Sequence, residues 1–194
     1  MTTKKDINLR FKIMARLKAL NPEESEGKSK ELFNAIKGKM GMVPNMMRTM
    51  GNSPAVLNGY LGFSSAMNSG TLDPKLRELL SVMIANENGC DYCNSAHSFI
   101  AGKIGLDAAV VHQARSGFSS DEKTHAALEF AKAVLDTKGN ISDYAIEKFK
   151  GAGFGEEHIA EIIASVSLSI FTNYFNNAAR TDIDFPKLDP IKKN

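Results

Sequence analysis

The sequence predicts an all-α protein of about eight helices, with a Cys-x-x-Cys pair at the N-terminus of a central helix. Three observations predict it. Apolar residues recur at helical spacing, as in Leu76, Leu79, Leu80, Met83 and Ile84. Helix starts such as Ser53-Pro54 and Asp73-Pro74 alternate with stops such as Asn88-Gly89 and Lys138-Gly139. No stretch of useful length alternates apolar and polar residues, as a strand with one buried face would.

Taken in order, residues 1–20 read as a basic arm, partly helical around Leu9 to Leu20. Asn21-Pro22-Glu23-Glu24 reads as a helix start with acids in the first turn, leading to about Lys37 and a stop at Gly38 or Gly41. Val43-Pro44 breaks the pattern, and Asn45 to Met50 forms a short helical piece. Met42, Met46, Met47 and Met50 fit a core or subunit interface, with an apolar pocket as the alternative. Ser53-Pro54 opens a helix to about Asn68, and Asp73-Pro74 opens one that stops at Asn88-Gly89. The next begins at Cys90 or Asp91 and runs to about Lys103, before Gly105. Asp107 caps a short helix to Arg115. Ser119 and Glu122 have capping-box spacing for a helix ending at Lys138-Gly139. Ser142 caps another to Lys150, and a long apolar helix covers Glu156 to Ala179. On it, Asn173, Asn176 and Asn177 must find partners if buried, by bonding across helices or by bordering an active site. Residues 21–186 read as one helical domain, and 187–194 as an extended tail.

A chain of 194 residues suffices for one ordinary domain, and 43% hydrophobic with 24% charged residues is a globular mix. A formal charge of +2 implies no strong attraction to nucleic acid or an anionic membrane. No apolar run approaches the length of a membrane span. The opening MTTKKDINLRFKIMARL lacks a compact apolar core and a small-residue cleavage site, so no secretory leader is expected. A soluble cytoplasmic protein is the expectation. Reducing pools there keep a Cys-x-x-Cys pair cycling.

Reactive side chains concentrate in ELLSVMIANENGCDYCNSAH, Glu78 to His97, which holds both cysteines of the chain. Cys93 falls in the first turn of a helix, where free N–H groups and the positive end of the dipole favour a thiolate. His97 follows at i+4 on the same face and can exchange a proton with it. On an antiparallel hairpin, His97 lies about 10 Å from the turn and Glu78 about 15–18 Å, so a Glu–His contact needs the helices to cross at an angle. Three readings of the cluster remain open: a thiol/disulfide couple, a zinc site made by Cys90, Cys93, His97 and Glu78, or two buried cysteines without chemistry. A structural zinc site normally adds a second Cys or His pair, and no further cysteine exists here. His112, His125 and His158 read as solvated or first-turn histidines without a direct role.

Glu, eleven residues, Cys-x-x-Cys, three residues, His: this spacing resembles the AhpD-like alkylhydroperoxidases of the carboxymuconolactone decarboxylase superfamily. GMVPNMMRTMGNSPAVLNGYLGFSSAM and FTNYFNNAARTDIDFP resemble the peroxidase-related branch, so the likeness spans about Asn21 to Pro186. The resemblance implies an AhpD-like helical bundle and a thiol-dependent alkylhydroperoxide reductase in antioxidant defence. It makes Cys93 the attacking and Cys90 the resolving cysteine, with His97 and Glu78 as a proton relay. Tyr92 stands where AhpD carries a second histidine; a phenol with a pKa near 10 is a poor base at neutral pH. The resemblance further implies a hydroperoxide substrate, a dithiol reductant such as a lipoyl protein, no cofactor or metal, and a homo-oligomer, trimer or hexamer. The decarboxylase branch lacks the paired cysteines, which argues against lactone decarboxylation. Other readings are a Cys-x-x-Cys disulfide oxidoreductase with weak peroxidase activity and a non-enzymatic helical assembly.

Overall fold

The computed structural model describes residues 14–188. Nine helices occupy them: α1 (Gly27–Met40), α2 (Asn45–Met50), α3 (Pro54–Asn68), α4 (Pro74–Glu87), α5 (Asp91–Lys103), α6 (Ala108–Arg115), α7 (Glu122–Asp136), α8 (Asp143–Gly151) and α9 (Glu156–Ala179). The described residues hold no strand. Local chemistry sets most of the starts. Asp73 Oδ1 accepts from the N–H groups of Lys75 and Leu76 (2.8 and 3.2 Å), and Pro74 follows at the first helical position. Asp107 and Ser142 cap α6 and α8 by accepting from Ala109 N–H (2.7 Å) and Ala145 N–H (3.3 Å).

Three sequence expectations are corrected. Asn21-Pro22-Glu23-Glu24 does not open α1. Asn21 Oδ1 instead accepts from Glu23 N–H (3.1 Å), and Ser25 Oγ donates to Asn21 O (2.7 Å), closing a turn on itself. The helix begins only at Gly27, whose φ of +57° suits glycine and redirects the chain. The cap of α7 is Asp121, whose Oδ2 accepts from Thr124 N–H (2.8 Å), not Ser119, whose Oγ accepts from Asp121 N–H (3.2 Å). Of the expected arm helix, 9–13 lies outside the described residues and 14–20 is irregular. That stretch straps the body: the N–H groups of Arg16 and Leu17 donate to Ala179 O (2.8 and 3.4 Å) and that of Leu20 to Arg48 O (3.2 Å). Backbone bonds to two other elements replace the internal ladder of a helix.

α4 is the hub and packs against α5, α6, α7 and α9. Its residues from Val82 to Ala85 are wholly buried, as a full turn of apolar side chains requires. One core cluster fills the space between α4, α7, α8 and α9, where Phe149 stacks between Phe130 and Phe154 with ring centroids 4.3 Å apart on each side. A second cluster gathers Phe33, Met46, Met47, Met50 and Leu57 around the two cysteines. The start of α4 is tied to α9 by Glu161, whose carboxylate accepts from Thr71 N–H (2.7 Å), Thr71 Oγ1 (2.9 Å) and Leu72 N–H (2.8 Å).

Candidate active site

The turn between α4 and α5 places the sulfurs. Gly89 takes φ +60°, a conformation open to glycine at little cost, and the Cys90 N–H then donates back to Ala85 O (2.8 Å). Cys90 becomes the N-cap of α5, with its Sγ accepting from Cys93 N–H at 3.2 Å. Cys93 therefore sits in the first turn of the helix, as its spacing predicts. α9 holds this turn from the other side. Asn88 Nδ2 donates to Asn173 Oδ1 (2.9 Å), Asn177 Nδ2 donates to Asn88 O (3.0 Å), and Asn176 Nδ2 donates to Cys93 Sγ (3.3 Å). The three asparagines of α9 thus bridge helices, and Asn176 reaches the sulfur itself.

Cys90 and Cys93 are joined as a disulfide, with Cα atoms 5.3 Å apart. Cys90 is 0% exposed and Cys93 3%. The polar neighbours Asn94 and Ser95 are buried as well, so they do not mark an open surface. In the orientation that satisfies both ends of its carboxamide, Asn94 donates to Val82 O (3.1 Å) and accepts from Asn86 N–H (3.2 Å), fastening α5 to α4. Cys93, but not Cys90, lines a cavity of about 80 Å³ together with Met46, Met47, Tyr60, His97 and Asn176. Larger hollows of about 500 and 510 Å³ lie beside α6 and at the start of α4, and neither touches a sulfur.

His97 Nδ1 lies 2.8 Å from Glu78 Oε2, so the glutamate reaches across the hairpin. The imidazole is 30% exposed and the carboxylate 17%. Burial works against a charged imidazole, but the attraction of the Glu78 carboxylate and its hydrogen bond outweigh it. His97 therefore titrates above its ordinary range. The ring sits one helical turn beyond Cys93, and both border the same cavity.

Tyr92 is placed differently from a relay residue. Its hydroxyl donates to Asp184 Oδ1 (2.9 Å) and accepts from Met46 N–H (3.1 Å). Burial drives its phenol far above the ordinary range, and the Asp184 charge adds to that against the help of the Met46 N–H. Asp184 Oδ2 also accepts from Asn45 N–H (2.8 Å), so Tyr92 and Asp184 together satisfy the first N–H groups of α2. Tyr60 and Asp184 have no chemistry assigned by spacing or motif; Tyr60 reads in sequence only as an apolar-face position of α3. His112 is exposed, His125 is half-buried against Phe118 (5.4 Å between rings), and His158 Nδ1 accepts from Gly155 N–H (3.0 Å). Among the described residues no three Cys, His, Asp or Glu side chains converge as metal ligands would. No helix of the described residues is long and apolar enough to cross a membrane.

Residues 54–136 match the carboxymuconolactone decarboxylase family. The match runs from α3 through α7 and takes in Glu78, Cys90, Cys93 and His97. Among solved structures the chain is similar to a peroxidase-related protein with an alkylhydroperoxidase AhpD core from Ralstonia eutropha JMP134, at 20% identity and TM-score 0.79, over 88% of this chain and 92% of that one. It is similar to a second peroxidase-related protein, from Silicibacter sp. TM1040, at 20% identity and TM-score 0.75, over 87% and 94%. The debrominase Bmp8 aligns at 24% identity and TM-score 0.69, over 81% and 86%. No curated protein matches the chain. The fold is that of the AhpD-like proteins. The AhpD-like resemblance read from the sequence is supported both by the family match over residues 54–136 and by the fold.

Proposed function

We propose that the protein is a thiol-dependent hydroperoxide reductase that cycles the Cys90–Cys93 pair. The observation that carries this is the asymmetry of the two sulfurs: Cys93 borders the cavity beside His97, whereas Cys90 is sealed behind it at 0% exposure. The sulfur that meets a small oxidant is then Cys93, and the sulfur held within bonding distance is Cys90. This is the division of labour that the AhpD-like resemblance implies.

In the reduced protein, the Cys93 thiolate attacks the distal oxygen of a hydroperoxide. The O–O bond breaks, an S–O bond forms, and the departing alkoxide takes a proton from His97. Sulfur is oxidised by two electrons and the peroxide reduced by two. The Cys90 thiol then attacks the sulfenic sulfur, forming the disulfide and releasing water. Glu78 holds the His97 ring and stabilises its charged form until the proton is given up. An external dithiol returns two electrons and two protons through a mixed disulfide at Cys93. A cavity of about 80 Å³ admits a slender dithiol arm of the lipoyl kind more readily than a folded partner's disulfide. That favours peroxide over protein disulfides as the oxidising substrate. The reading places the protein in a reducing, cytoplasmic setting. It also makes the exposed Phe63, Ile163, Phe171 and Tyr174 the surface a second copy would cover in a homo-oligomer.

Mass spectrometry of the two thiols after one equivalent of hydroperoxide tests the cycle. The expected product is the Cys90–Cys93 disulfide, returned to dithiol by dihydrolipoamide. Thiols that stay reduced over minutes would end this reading.

A further inference from the structure

Asn176 is 2% exposed and lines the same cavity as Cys93, His97 and Thr172. Its Nδ2 donates to Cys93 Sγ, but its Oδ1 is buried and accepts no hydrogen bond. A buried carboxamide oxygen without a donor is costly, and such groups in native structures call for an explanation. A ligand that brings an O–H into the cavity supplies one. The disulfide sulfur here stands in for the thiolate of the reduced protein, which is a stronger acceptor for the same N–H.

Building on the peroxidase reading above, we propose that Asn176 orients both reactants: Nδ2–H holds the Cys93 sulfur while Oδ1 accepts the terminal O–H of the hydroperoxide. One planar group then sets the distal oxygen beside the sulfur that attacks it. Met40, Met46, Met47 and Ile100 on the cavity wall face the organic tail. The bonds made and broken are unchanged. Sulfur gains the hydroxyl, the alkoxide leaves with the proton of His97, and Asn176 exchanges no proton. It is a positioning residue whose two ends act on different atoms, which lets each end be tested alone.

The test uses the full chain carrying Cys90→Ser, so that Cys93 is its one thiol. The pH dependence of alkylation by iodoacetamide reads the Cys93 titration without any peroxide. Asn176→Leu is expected to move that titration up by about one pH unit, as loss of a hydrogen bond to a charged group implies. Above the titration, where every sulfur is ionised, its alkylation rate should stay within about twofold of the parent's, since alkylation needs no O–H acceptor. Its second-order rates with hydrogen peroxide and tert-butyl hydroperoxide should fall at least about tenfold there, the equivalent of one lost hydrogen bond. Asn176→Asp matches the size and keeps an acceptor oxygen without the N–H. It is expected to shift the titration upward at least as far, and it serves as the second variant if the leucine form melts early. An unchanged titration in both variants overturns the sulfur-holding role. A shifted titration with parental peroxide rates in Asn176→Leu, or peroxide rates in Asn176→Asp that fall as far as those expected of the leucine form, overturns the acceptor role. A Cys90→Ser parent inert to both peroxides overturns the peroxidase reading and the acceptor role together, while the alkylation arm still decides the sulfur contact.

Discussion

The two core clusters share α4 but treat buried polarity in opposite ways. The cluster between α4, α7, α8 and α9 is built mainly from Leu, Ile, Val, Ala and three stacked phenylalanines, with Met83 as its one buried methionine. The cluster around α5 mixes Met46, Met47 and Met50 with Cys90, Cys93 and Tyr92, and Asn94, Asn173 and Asn176 are buried nearby. Rigid aromatic stacking fixes one geometry, whereas methionine adapts to changing shapes and sulfur chemistry needs partners for its lone pairs. The first cluster therefore specifies the fold, and the second suits a sulfur that changes oxidation state in the cycle proposed above. The polar side chains of the second reach other elements, Asn88 to Asn173, Cys93 to Asn176 and Tyr92 to Asp184, while Asn176 Oδ1 alone of that set is left without a donor.

Substitutions separate the two. The largest effect belongs to the sulfurs. Cys93→Ser is expected to abolish hydroperoxide turnover, and Cys90→Ser to stop after a single oxidation with a sulfenic acid detectable by dimedone labelling. Sustained turnover by Cys90→Ser with a dithiol reductant would overturn the assigned roles. Phe149→Ala should instead cost about 3–5 kcal/mol of stability, the range for a fully buried aromatic, read by denaturant titration. The folded fraction should react with hydroperoxide at the wild-type rate, because the aromatic stack lies in the other cluster. Tyr92→Phe falls between the regions. It deprives Met46 N–H of an acceptor and Asp184 of a donor, so about 1–3 kcal/mol is expected. Were the phenol a proton relay, the hydroperoxide rate would fall beyond what lost stability explains, and the strut role would fail.

What was legible in the sequence follows the range of the forces. Asp73-Pro74, Asn88-Gly89 and the Cys-x-x-Cys spacing act within one or two turns, so α4, α5 and the place of Cys93 could be read directly. Asn21 to Glu24 misled because acids after a proline resemble a first turn, whereas the Asn21 side chain closes a competing local loop. Ser119 misled for a related reason, since Asp121 offers the stronger acceptor two residues later. The contact of Asn176 with Cys93 spans 83 positions and that of Tyr92 with Asp184 spans 92, and no local pattern encodes either. The asparagines were visible only as polar groups on an apolar helix that had to find partners. The separate roles proposed for Cys90 and Cys93 rest on the family resemblance, and the structure adds that only Cys93 borders the cavity.

The smallest expected effect concerns the Glu78–His97 pair, which joins the shared hub helix to the site. Glu78 holds the folded-state pKa of His97 above its unfolded value. The pair's stabilisation is therefore fully present below the unfolded imidazole pKa near 6.5 and is lost as pH rises through the raised folded value. Glu78→Gln removes the charge that causes this, so His97 should titrate lower, as read by the pH dependence of its ring proton shifts. Thermal midpoints of wild type and variant should differ most near about pH 6 and converge by about pH 9, where the imidazole is neutral in both. In the same variant the rate of alkoxide protonation should decline at neutral pH, because fewer His97 rings carry the proton. A His97 titration that does not move on removing Glu78 would mean that the 2.8 Å contact does not govern the ring, and the relay would lose its second member.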